Sequence, residues 1–93
     1  MIVSFADRDA ERLFQRQRVK RIDPRLHKKA LMKLLILDAA VSLDDLRVPP
    51  GNGLEMLKGD RSGQHSIRIN NQWRICFVWT SGGPAEVQLV DYH

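Results

Sequence analysis

The sequence predicts an α+β fold: two N-terminal helices packed on one side of an antiparallel sheet of four to five strands. Three observations carry that expectation. Apolar residues recur at helical spacing between Asp7 and Val41, and Asp23-Pro24 marks a helix start inside that span. From Leu54 onward the pattern changes to alternation with a period of two, clearest between Trp73 and Trp79. A turn-rich stretch, Pro49-Pro50-Gly51-Asn52-Gly53, separates the two halves.

Taken in order, residues 2–5 read as a short first strand. Asp7 is placed to cap a helix running to about Arg18, with Ala10, Leu13 and Phe14 on one face. Residues 15–21 are polar and basic, which weakens the end of that helix. The second helix starts where an acid can cap and a proline sacrifices no hydrogen bond, and it runs from Pro24 to about Val41. Leu26, Ala30, Leu34, Leu37 and Val41 form its apolar stripe, widened by Leu31, Leu35 and Ala39, and the sheet is what that stripe should cover. Ser42 begins one further turn that ends by Val48. Leu54–Leu57 is a short strand, 58–63 a loop, His65–Ile69 a strand, and Asn70-Asn71 a tight turn. Trp73–Trp79, a hairpin at Gly82-Gly83-Pro84 and a last strand over Glu86–Tyr92 complete an antiparallel meander. Alternation puts Trp73, Ile75, Phe77 and Trp79 on one face, with Arg74, Cys76, Val78 and Thr80 on the other.

Ninety-three residues make one domain, 1–93, and 43% apolar residues supply a single small core. The lone Cys76 excludes an internal disulfide and a multi-cysteine zinc site; its apolar neighbours mark an inert, packed thiol. No apolar run approaches the roughly 18–20 residues that span a bilayer, and the start of the chain lacks the pattern of a signal peptide. A soluble cytoplasmic protein without a membrane partner is expected. The net charge is +4, and arginine outnumbers lysine ten to five. That balance suits phosphate, which the planar guanidinium grips with paired hydrogen bonds.

The residues with chemistry gather by topology. Arg68 and Arg74 stand either side of one tight turn and share a sheet face, while Lys58 and Arg61 lie in a flanking loop. If the last strand pairs with 73–79, Asp91, Tyr92 and His93 approach the start of that strand near Arg74. An acid, a phenol and an imidazole beside fixed cations suit RNA phosphodiester cleavage with no metal or other cofactor. Histidine or a carboxylate moves the protons, and the cations hold the charge of the phosphorane. Glu55, Asp60 and Asp91 are separated in sequence and interleaved with cations, which disfavours a converging metal site. His65 reads as structural and His27 as solvated. Trp73 and Trp79 read as core rather than as base-stacking surfaces. The basic run Arg8, Arg12, Arg16, Arg18, Lys20 and Arg21 is either a solvated face or a grip for ribosomal RNA.

Leu57-Lys58-Gly59-Asp60-Arg61-Ser62-Gly63, Ser66-Ile67, Asn71-Gln72-Trp73-Arg74-Ile75 and Asp91-Tyr92-His93 together resemble the HigB branch of the RelE/ParE toxin superfamily, over nearly the whole chain. Pro49-Pro50-Gly51-Asn52 is similar to its GraT-like sub-branch. The resemblance implies a ribosome-dependent mRNA endonuclease that cuts the A-site codon on the 70S ribosome and stops translation. It also implies a HigA-type helix-turn-helix antitoxin, through which alone the toxin would meet operator DNA. By that resemblance His93 matches the family's C-terminal histidine, Arg74 the arginine of its Trp-Arg-Ile strand, and Lys58 the lysine of its Leu-Lys-Gly motif. His93 then acts as general acid or stabilises the charged intermediate. Asp91 and Glu55 are bases or orienting groups, and Tyr92 contacts the mRNA or assists proton transfer. Arg74 and Arg68 bind the scissile phosphate, supported by Lys58 and Arg61. Glu55 stands where some members carry a histidine, which implies a functional but weaker toxin. The competing classes are a ParE-like inhibitor of a protein target and a ribosome- or RNA-binding protein without nuclease activity. The terminal Asp-Tyr-His together with Arg74 favours cleavage over both.

Overall fold

The computed structural model describes residues 1–92. Helix α1 spans Arg8–Phe14 and α2 spans His27–Ala39; strands β1 (Glu55–Met56), β2 (His65–Arg68), β3 (Trp73–Thr80) and β4 (Gly83–Asp91) follow. All neighbouring strands are antiparallel, in the order β1-β2-β3-β4. The expected meander is therefore present. The expected first strand is a strip instead: residues 2–6 run parallel to β4 with a single bridge between Phe5 and Val87. The Val3 amide donates to the Pro84 carbonyl (2.8 Å) and the Ala6 amide to that of Val87 (3.0 Å).

Helix α1 starts where the sequence places it, α2 starts three residues late, after a 3-10 turn over Pro24–Leu26, and both end sooner than expected. Asp7 caps α1 through the Asp9 amide (2.8 Å). The helix stops at Phe14, not Arg18, because Arg16 turns left-handed at φ 64°. The Gln17 amide then reaches the Arg12 carbonyl (2.8 Å) and the Arg16 amide reaches that of Leu13 (2.9 Å). This is the helix-ending loop usually built on glycine. Asp23 caps a tight turn over Pro24–Leu26 that leads into α2. α2 stops at Ala39 because the Asp45 carboxylate takes the next amides, those of Val41 (2.9 Å) and Ser42 (3.1 Å), to start the turn Leu43–Arg47. Val41, expected in the apolar stripe, is consequently exposed.

The core lies between the helices and one face of the sheet. Ile67, Ile69, Trp73, Ile75, Phe77, Val87 and Leu89 meet Ala10, Leu13, Ala30, Leu34, Leu37 and Leu46. Trp79 packs against this cluster, and the Arg21 guanidinium sits 5.4 Å from the centroid of the Trp73 ring. Both tryptophans thus serve the core. His65 stacks on Phe77 and is structural as expected. His27 is not solvated: it is half-buried, with Nε2 2.9 Å from the Val19 carbonyl. Among the described residues no helix is long and apolar enough to cross a membrane.

Asp7 does more than cap. Its Oδ2 accepts from the Leu89 amide (3.0 Å) and from Arg21 (2.6 Å), tying α1 to β4. Replacing Asp7 with Ala is expected to cost about 2 kcal/mol, the sum of a lost cap and a stranded strand amide. Urea unfolding of the two proteins checks this.

Candidate active site

The sheet face turned away from the helices carries the residues with chemistry. Arg68 on β2 lies directly across from Arg74 on β3, and Arg74 lies across from Val90 on β4. Two like charges in register repel unless each is drawn elsewhere. Arg68 donates to the Asn71 side-chain oxygen. Arg74 leans toward β1, where its Nε donates to Ser66 Oγ (2.8 Å), its Nη2 donates to the Gly53 carbonyl, and Nη2 lies 3.3 Å from Glu55 Oε2. The Arg74 side chain is only 13% exposed, whereas Glu55 is 55% exposed. Gly53 suits this contact because at φ 53° it adopts a left-handed conformation that residues with a Cβ rarely take.

The end of β4 closes the site. The Tyr92 amide donates to the Gln72 carbonyl (2.7 Å), which brings its ring centroid to 5.7 Å from the Arg74 guanidinium. The phenol oxygen is 3.8 Å from Cys76 Sγ. Burial and the Cys76 contact push the Tyr92 phenol above its ordinary value, so at neutral pH it is a hydrogen-bond donor. Burial also pushes the Cys76 thiol up, against the pull of Tyr92, Arg61 and Arg74, which fits an inert packed thiol. Arg68, Asn70, Asn71, Arg74 and Tyr92 line an open cleft of about 260 Å³.

Of the residues singled out from sequence, Arg68, Arg74 and Tyr92 meet at this cleft, and Glu55 touches Arg74. Asp91 sits opposite Trp73, so strand alternation assigns it to the helix-side face, where the Gln72 side-chain Nε2 donates to its Oδ2 (3.1 Å). Arg61 donates to Gln64 (3.1 Å) in the turn Gly59–Arg61, within electrostatic reach of Cys76. Lys58 opens that turn and is exposed, outside the cleft lining. His93 lies outside the described residues. Ser66, Asn71 and Gln72 entered the sequence reading only as motif positions and Gly53 only as a turn residue; none was given a role in the site. Ser66 also carried a positional signal: it alternates with Arg68 on the same face of β2.

Comparison with known proteins adds to this geometry. A model of the RelE-like toxin HigB of type II toxin–antitoxin systems matches residues 3–93. Toxin HigB-1 of Vibrio cholerae serotype O1 is 42% identical, over 88% of this chain and 87% of its own. Endoribonuclease HigB of Proteus vulgaris is 32% identical over 100% of both chains. A solved YoeB-YefM complex from Staphylococcus aureus superposes with a TM-score of 0.61 at 20% identity, covering 100% of this chain and 95% of that one, a likeness of fold. The meander, the two helices behind it and the match over residues 3–93 agree: the chain belongs to the HigB-like family of RelE-like toxins from type II toxin–antitoxin systems.

Proposed function

We propose that this toxin is an mRNA endonuclease that cuts the A-site codon on the 70S ribosome by acid–base attack of the 2′-hydroxyl, without a metal. One observation carries the reading: Arg68, Arg74 and the protonated phenol of Tyr92 converge on a single open cleft. In the reaction the 2′-oxygen gives up its proton to a base and bonds to phosphorus. The bond from phosphorus to the 5′-oxygen breaks, and that oxygen takes a proton, leaving a 2′,3′-cyclic phosphate and a 5′-hydroxyl. Arg74 and Arg68 hold the non-bridging oxygens as their charge grows. Tyr92 donates toward the reacting phosphate, and His93 acts as general acid. Glu55 pairs with Arg74 and yields that edge to the phosphate, with Asp91 supporting the far rim through Gln72. Lys58 and Arg61 guide the mRNA backbone toward the cleft.

The protein works in the cytoplasm as one domain, 1–93, held in check by a HigA-type antitoxin that carries the operator contact. Purified toxin incubated with mRNA, with and without ribosomes, tests the reading by primer extension. Codon-spaced cuts only with ribosomes are the expected result. Cuts in free mRNA make it a ribosome-independent nuclease, and none in either case returns it to the inhibitor class.

Glu55 occupies the edge of Arg74 that a phosphate would use. Removing that carboxylate and restoring an imidazole in Glu55→His is expected to raise ribosome-dependent cleavage several-fold, on the order of 1 kcal/mol of barrier. Growth arrest and cut yield no greater than those of the native chain would count against Glu55 as a brake.

A further inference from the structure

Ser66 is fully buried in β2, where a hydroxyl must be fully used to be tolerated. Its Oγ accepts from Arg74 Nε at 2.8 Å. It also lies close enough to the Tyr92 phenol to pull that phenol's titration down, against the burial that pushes it up. A serine hydroxyl offers one donor and two acceptor sites, so accepting from Arg74 leaves its own proton available on the side of Tyr92.

We infer that Ser66 is a positioning residue for strand cleavage: one buried hydroxyl holds the guanidinium plane of Arg74 and sits against the phenol of Tyr92. Ser66 has no exposed surface with which to touch RNA, so it acts through these two groups. Its place supports this, since its register neighbours are Glu55 on β1 and Cys76 on β3, the former touching Arg74 and the latter Tyr92. Small losses of alignment in such a site cost large factors in rate. The inference rests on the endonuclease reading above.

The test uses the full-length toxin carrying Ser66→Ala, Ser66→Thr or Ser66→Cys. In single-turnover cleavage of ribosome-bound mRNA, Ser66→Ala is expected to lower the rate by about 10- to 100-fold. Its affinity for the same ribosome complex carrying a 2′-deoxy scissile nucleotide should change by less than about threefold, since the cations remain. Threonine, which keeps the hydroxyl, should restore the rate; cysteine, a poor acceptor, should not. A second readout is independent of cleavage. Tyr92 is the chain's one tyrosine, so its ionisation is read directly by ultraviolet absorbance. Ser66→Ala should move that titration to higher pH, and Ser66→Thr should return it. A native rate in Ser66→Ala, a loss confined to binding, or an unmoved Tyr92 titration overturns the inference. If Ser66→Ala does not fold, as judged by circular dichroism, the Ser66→Cys arm decides. If the native toxin cuts nothing, the endonuclease reading fails, while the titration still reports whether Ser66 governs Tyr92.

Discussion

Arg74→Ala is expected to lower ribosome-dependent cleavage by about 10²- to 10³-fold, the usual cost of removing a fixed donor from a developing anion. No other side chain in the described cleft is so constrained. Three anchors from different parts of the chain, Ser66, Gly53 and Glu55, hold the guanidinium, and Tyr92 lies beside it. Arg74→Lys separates charge from geometry. A lysine keeps the cation but cannot reach three anchors with one planar fork, so it should retain only a small fraction of the activity. Quenched-flow cleavage of ribosome-bound mRNA measures both. Native rates in Arg74→Ala would remove this residue from the mechanism and return the cleft to a binding surface.

Asn52→Ala is expected to destabilise the fold by about 3 kcal/mol, or roughly 12–20 °C in Tm. Asn52 is completely buried, and each end of its amide is used. Nδ2 donates to the carbonyls of Leu46 and Val48, both at 3.1 Å, and Oδ1 accepts from Lys33 Nζ at 2.6 Å. Alanine strands two buried or half-buried carbonyls and an ammonium that burial already pulls below its ordinary value. The next residue is Gly53, whose carbonyl holds Arg74. Cleavage should therefore fall even at temperatures where the variant stays folded. Guanidinium unfolding and a cleavage assay at 20 °C read the two effects separately.

The fold was legible where one side of an element is buried and the other is not. Trp73 to Trp79 alternates because its odd positions meet the helices, and the short Asn70-Asn71 turn leaves Arg68 and Arg74 little choice but to face each other. Helix ends were not legible, because competing hydrogen bonds set them. Arg16 takes a conformation that composition disfavours, and Asp45 captures the amide of Val41. Among the described residues the buried polar side chains, those of Ser66 and Asn52, were not foreseen as buried, for a related reason. Their burial follows from partners 8 and 19 positions away, Arg74 and Lys33. Asp91 does reach the start of β3 as expected, opposite Trp73, but alternation sends its side chain to the other side of the strand from Tyr92, a distinction that the sequence reading did not draw.

The strip of residues 2–6 has a consequence in time. Ser4 and Asp7 hold the amides of Glu86 and Leu89 across 82 positions of sequence. During synthesis the opening segment therefore waits without its partner until β4 has emerged. It behaves as a clasp shut at the end, and the entropy of closing so long a span bears on folding speed more than on the strength of the finished protein.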